Sequence, residues 1–209
     1  MGRKEEMFQY AREKLTPYIS ERANLLRKDC AAYLEMKREY HRIVSDLLQT
    51  AQKRQAAGTL GQIHYFSIFY LQSSAVTQSY DFALSLTNER YCLDQNGLLC
   101  FWCPQRLFQA VEEDLSFFEK DARQMWIRIR PYELEEIRRA YINNLYQLAG
   151  FFFGEESLDA AVLGGIVRLD CCDEVRFSFG GYMDQTIQFA LFRKGDEHEI
   201  LSPENRPKV

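Results

Sequence analysis

Apolar residues recur every three or four positions between Thr16 and Ala57. Leu26, Cys30, Tyr33, Tyr40, Val44, Leu47, Leu48 and Ala51 share one stripe, and Lys, Arg, Glu and Gln fill most of the positions between them. That spacing predicts one long amphipathic helix. Thr16 followed by Pro17 has the chemistry of an N-cap with proline in the first turn, so residues 3–15 are expected as a separate short helix or a kinked first segment. Gly58 and Gly61 close the helical region.

From Ile63 the period changes to two. "IHYFSIFYL" sets Ile63, Tyr65, Ser67 and Phe69 on one face and His64, Phe66, Ile68 and Tyr70 on the other, which predicts a central strand. "QSYDFALSLT" alternates more cleanly, with Tyr80, Phe82, Leu84 and Leu86 inward and Asp81, Ala83 and Ser85 on a wetter face. "RYCLDQNGLLCFWC" predicts a hairpin about Asn96-Gly97 with a type I′ turn.

Pro104 opens an expected helix of about 25 residues, running to about Ile129, and Pro131 to Phe153 forms a second. "GEESLDAAVLGGIVRLDCCDE" carries a Gly164-Gly165 pair and mixed periodicity, which predicts a loop and a short strand at 166–169. A second hairpin is expected about Gly180-Gly181, and the polar tail from Gly195 is expected to fray.

These elements predict an α+β fold: a long N-terminal amphipathic helix, an antiparallel sheet of about five or six strands, and a central pair of helices packed on the sheet. The expected organisation is an N-terminal helical region over 1–57, an α+β domain over 58–194 and a flexible tail over 195–209. The chain of 209 residues is long enough to bury a core without metals or disulfides.

Composition changes the picture little. Hydrophobic residues make up 46% and charged residues 27%, as in ordinary globular chains. Residues 1–57 carry 12 Lys and Arg against 8 Asp and Glu, and the remainder carries 14 against 22, so the net charge of −4 hides a mild asymmetry rather than a basic patch. Aromatics at 14% point to a thick core, a broad interface, or both. The N-terminal stretch has charges every few residues and no apolar run, and no window reaches membrane-spanning length, so a cytoplasmic protein without membrane contact is expected. Six cysteines then read as reduced thiols.

Candidate chemistry is sparse. There is no phosphate-binding glycine loop and no dinucleotide fingerprint, and no cofactor is expected. The 3 histidines, His41, His64 and His198, lie in no nucleophile or metal-ligand spacing, which argues against an enzyme. In "LLCFWCPQRLF", Cys100 and Cys103 would point to opposite faces of a strand, with Cα atoms roughly 10 Å apart, beyond disulfide reach. Only Cys103, next to the expected helix start, is a candidate reactive thiol, and no metal site is expected.

The stretch "RQMWIRIRPYELEEIRR" groups Arg123, Trp126, Arg128, Arg130, Arg138 and Arg139 around an inter-helix turn. Arginine beside aromatics suits a partner surface or an anion, although Glu133, Glu135 and Glu136 can neutralise it locally. The expectation is therefore a non-catalytic interaction protein that binds another macromolecule, or a second copy of itself, through its helices and aromatic sheet. The alternatives are a nucleic-acid or anionic-ligand module using the corner from Arg123 to Arg139, and a thiol-dependent enzyme using Cys103. The sequence names neither the partner nor the oligomeric state.

Overall fold

The computed structural model describes residues 2–193. The tail from 195 and His198 lie outside the described residues. In chain order the elements are α1 (Arg3–Leu25), α2 (Ala31–Ala56), β1 (Ile63–Tyr70), α3 (Gln72–Thr77), β2 (Phe82–Thr87), β3 (Leu98–Trp102), α4 (Gln105–Phe108), α5 (Val111–Met125), α6 (Pro131–Glu156), α7 (Ala160–Ile166), β4 (Cys171–Gly181) and β5 (Thr186–Arg193). The fold is α+β, and the chain forms two compact units. One runs up to Met36 and includes Pro104–Phe152; the other holds Lys37–Cys103 and the chain from Phe153 onward.

In the first unit, α1 is continuous through Pro17, so Thr16 is not an N-cap. Proline removes only one N–H from the ladder, and the Thr16 hydroxyl turns back to donate to the Arg12 carbonyl at 2.6 Å. The chain breaks later, between Leu25 and Ala31. There Arg27 and Asp29 pair at 3.1 Å, an i,i+2 contact that a continuing helix would place on different faces. The apolar period gave no sign of this break because it runs through it.

The helix expected from Pro104 also divides, into α4 and α5 with Gln109 and Ala110 between them. Pro131 starts α6 as its fixed φ suggests. Met7, Ala11 and Leu15 of α1 are buried, as are Phe118 and Ala122 of α5 and Tyr141 and Leu145 of α6. Tyr10 meets Trp126 edge to face with ring centroids 5.1 Å apart.

Within this core Arg22 and Asp114 are 6% and 5% exposed. Arg22 donates to the carboxylate of Asp114, to the Leu107 carbonyl at 2.9 Å and to the Tyr18 carbonyl at 3.1 Å. Tyr141 donates to the same carboxylate at 2.6 Å. A buried ion pair with every donor satisfied is tolerated in low dielectric, and losing one partner is what makes it costly.

The second unit is built on a five-stranded sheet of order β3-β2-β1-β4-β5. The β1–β2, β2–β3 and β4–β5 pairs are antiparallel, but β1 and β4 run parallel, so the sheet is mixed rather than antiparallel. Strands β1 to β3 meander. The chain then takes its long helical excursion and re-enters beside β1 in the same direction, which only a long crossover permits. The central position of β1 agrees with its two apolar faces.

The Asn96-Gly97 hairpin is not a tight turn. Residues 88–97 form the whole β2–β3 connection, with a 3-10 turn at Tyr91–Leu93, and Gly97 does not adopt a positive φ. Glycine is needed there for close approach, since a Cβ would meet the Thr87 methyl at 2.9 Å and the Leu86 carbonyl at 3.2 Å. The stretch read as a loop and strand is α7, because the Asp159 carboxylate accepts from the Ala161 N–H at 2.9 Å and caps it.

One face of the sheet is covered by helices. Tyr40 of α2 and Phe153 of α6 sit 5.5 Å apart at ring centroids, and Phe153 lies 4.9 Å from Phe82, 5.8 Å from Trp102 and 6.0 Å from Phe179. Each such ring, fully buried, contributes about 1.5–3 kcal/mol. Registration places Leu99 and Phe101 of β3, Ala83, Ser85 and Thr87 of β2, Tyr65, Ser67 and Phe69 of β1 and Arg176 and Ser178 of β4 together on the opposite face.

Candidate functional site

The arginine corner is largely neutralised within its own unit. Arg138 makes a two-pronged contact with Glu112, one arm at 2.7 Å. Arg123 donates to Glu119 at 2.9 Å, and Arg139 lies 3.7 Å from Glu135. Glu133 accepts from the Arg130 N–H at 2.7 Å, at the start of α6. Trp126 packs on Tyr10 rather than standing free. Among the described residues, the side chains of Arg128 and Arg130 have no acid partner; the Arg130 guanidinium lies 6.0 Å over the Tyr132 ring.

Cys103 stands at the other extreme. Burial first, and the negative charge of Asp81 second, push its thiol up to about 12; burial also pushes Cys100 up to about 11. A nucleophilic thiol needs the reverse shift, toward thiolate at neutral pH.

Among the described residues, two buried hydroxyls without a hydrogen-bond partner, those of Ser85 and Thr87, belong to the face of the sheet opposite the covering helices. Three serines form a row across neighbouring strands, Ser85 on β2, Ser67 on β1 and Ser178 on β4. Ser178 donates to Ser67 at 2.8 Å, and the Tyr91 hydroxyl lies 3.3 Å from Ser178 and 3.4 Å from Thr186. Ser85 is 5% exposed and Thr87, two residues on along β2, is 8% exposed; among the described residues neither hydroxyl has a hydrogen-bond partner. A buried hydroxyl without a partner carries a desolvation penalty of about 1–3 kcal/mol, so such groups are uncommon and each calls for a reason.

Ser85 and Thr87 both line a cavity of about 160 Å³. Phe69, Tyr91 and Tyr182 supply its aromatic walls, and Asp94 lines it from the β2–β3 loop. Tyr91 holds φ at 53°, a left-handed conformation costing about 1–2 kcal/mol for a side chain of this size. The loop fixes it there: Asp94 accepts from the backbone N–H groups of Asn88 and Asn96, each at 2.9 Å, and Asn88 accepts from that of Arg90 at 2.8 Å. The Tyr91 ring is thereby laid 4.7 Å from Tyr65 and 5.9 Å from Phe69, on this opposite face of the sheet.

A second polar cluster lies on the helices of the same unit. Donor atoms of His41, Glu156 and Asp159 lie within 4.8 Å of one another, a spacing that could hold a metal ion. Lys37 already occupies the position of the cation, donating to Asp159 at 2.9 Å and lying 3.1 Å from Glu156, and the His41 Nε2 is 2.9 Å from Glu156. The Asp159 carboxyl is held below its ordinary 3.8, first by the bond from Lys37 and next by the Ala161 N–H. The Lys37 ammonium is correspondingly held above 10.5, first by Asp159. The cluster satisfies itself and fastens the start of α7 to α2.

Comparison with family models, with curated proteins and with solved structures finds no match. The chemistry of the site is therefore read from its own atoms. It can bind, because it presents rings, a half-exposed apolar strand and two unsatisfied hydroxyls. The alternation put Ser85 on the wetter face of its strand, but every residue of β2 is buried. Tyr91, Thr87, Asp94 and Tyr182 carried no signal, since they come together only through a ten-residue loop and the β4–β5 turn.

Proposed function

We propose that the protein is a non-catalytic binding protein that takes an extended segment of another polypeptide along the outer edge of its sheet. The observation that supports this is β3. It is an edge strand with neither Lys nor Pro within it, and its side chains Leu99 and Phe101 are 50% and 56% exposed. Edge strands are ordinarily protected by charge, proline or a covering element, and an apolar one is a template for strand addition. The protonated thiols and the self-satisfied His41 cluster favour binding over catalysis. The reading places the protein in the cytoplasm, in keeping with six free thiols and with the absence, among the described residues, of a helix long and apolar enough to cross a membrane.

The test is affinity capture with the wild-type chain beside a Leu99→Ser, Phe101→Ser variant, with hydrogen exchange of the β3 amides in the captured complex. The expected result is a bound polypeptide, protection of β3, and loss of capture by the variant. Equal capture by both chains overturns the reading. Sedimentation of the purified chain identifies a second copy as the occupant if it is a dimer.

A second reading keeps the arginine corner, because Arg128 and Arg130 closely follow a fully exposed Ile127. An anionic partner there would bind less tightly as salt rises and would be lost in an Arg128→Ala, Arg130→Ala variant.

A further inference from the structure

We infer that the cavity beneath Tyr91 and Tyr182 is a binding site for an uncharged, ring-sized organic molecule with a hydrogen-bonding edge, held by the hydroxyls of Ser85 and Thr87. This goes beyond the strand-addition reading and does not rest on it, since Phe101 does not line the cavity.

Size comes first. At about 160 Å³ the space is close to that of an apolar protein cavity that accepts benzene, so it is large enough for one ring. Shape follows from the walls, where Phe69, Tyr91 and Tyr182 offer faces and edges for stacking. Phe69 meets each tyrosine nearly edge-on, with centroids 5.9 and 5.6 Å apart, so the wall is a continuous aromatic surface.

Polarity follows from the hydroxyls. Ser85 and Thr87 alternate onto the same face of β2, roughly 7 Å apart along the strand, and each can donate one hydrogen bond and accept others. Their neighbours in the serine row are already bonded to one another, so nothing in the unit's described residues answers these two. Charge is set by what is absent and by what is present. Neither Lys nor Arg lines the cavity, and an anion would face the Asp94 carboxylate. Each oxygen of that carboxylate already accepts a backbone N–H group of the loop, whose dipoles offset part of its field and weaken its pull on a cation. Leu99 and Tyr182, 50% and 46% exposed, stand at the rim and leave the ligand a way in.

The experiment is a titration of the full chain, followed by its backbone amide spectrum, with phenol, uracil and nicotinamide as uncharged rings and benzoate and benzylamine as charged ones. At least one uncharged ring is expected to saturate at millimolar concentration or below and to shift the amides of 85–97 and Tyr182. A Ser85→Ala, Thr87→Val variant is expected to bind it about tenfold more weakly per lost hydrogen bond while keeping its melting temperature. Three results overturn the inference: no uncharged ring binding the folded chain, which means water alone meets the hydroxyls; a charged ring binding as well or better; or unchanged binding by the variant. A Phe101→Ser variant separates the two readings, because capture of a polypeptide depends on Phe101, which does not line the cavity, whereas Leu99 does.

Discussion

Two regions of this molecule bury polar side chains to the same depth and do opposite things with them. In the helical unit, Arg22, Asp114 and Tyr141 close on one another, and each named donor has an acceptor. In the sheet unit, Ser85 and Thr87 are as deeply buried and line a cavity, and among the described residues their hydroxyls have no partner. The first arrangement is complete as it stands; the second is completed only by something bound. Burial and charge draw attention to the first, yet satisfaction of hydrogen bonds is the property that separates a structural cluster from a binding one.

The largest effect is expected where the closed cluster is broken. Arg22→Met removes the guanidinium and leaves Asp114 buried with a tyrosine hydroxyl for company, which should cost about 3–5 kcal/mol in denaturant unfolding. Burial already raises the Asp114 carboxyl above its ordinary value despite Arg22 and Tyr141, and without Arg22 the rise is larger. A carboxyl with a raised folded-state pKa is tolerated better once protonated, so the deficit of the variant should shrink as pH falls. A loss below about 1 kcal/mol, or one that grows toward acid, would break the comparison.

The cluster of Lys37 sharpens it, being closed but partly exposed. Lys37→Met should cost about 1–2 kcal/mol at neutral pH, because it takes one cationic partner from the buried Glu156, which keeps His41, while solvent screens the rest. The pH dependence has two edges. Asp159 is depressed, so its contribution is present above the ordinary 3.8 and lost as pH falls through the folded value; Lys37 is raised, so its contribution is present below 10.5 and lost as pH rises through the folded value. Wild type and variant should differ most between those limits and converge outside them. Parallel stability curves across the whole range would show that the pairs carry no folding energy.

How far the sequence revealed these regions follows from what each depends on. Periodicity identified α2, α6, β1 and β2, because their apolar positions are local and regular. It ran through the break at 26–30 and joined α4 to α5, because both interruptions keep the apolar spacing intact. It missed α7, whose adjacent glycines argue against a helix until Asp159 is seen to cap it and Gly165 to pack against Leu48. The parallel β1–β4 pair was out of reach, since strand order depends on where the chain returns after its helical excursion. The arginine corner was conspicuous as a cluster in sequence, and the fold paired Arg123, Arg138 and Arg139 with nearby acids. Ser85 and Thr87 are ordinary strand residues; their significance lies in a missing partner, which only three-dimensional placement can show.

The smallest expected effect tests the comparison most closely, because the serine row contains its own control. Ser178 and Ser85 are the same residue type, on the same face, 6% and 5% exposed, on strands that flank β1. Ser178→Ala breaks the 2.8 Å bond to Ser67 and the contact with Tyr91, and should cost about 1 kcal/mol or more. Ser85→Ala breaks nothing and removes a buried polar atom, so stability should change by less than about 0.5 kcal/mol or rise slightly, and Thr87→Val, of equal shape, should do the same. Equal losses at Ser178 and Ser85 would mean that the Ser85 hydroxyl is bonded in the free protein, and the cavity would then be ordinary wall. Unequal losses mean that the strand carries a hydroxyl it does not need for folding, and a group held at such a penalty for no structural return is what a ligand contact looks like before the ligand arrives.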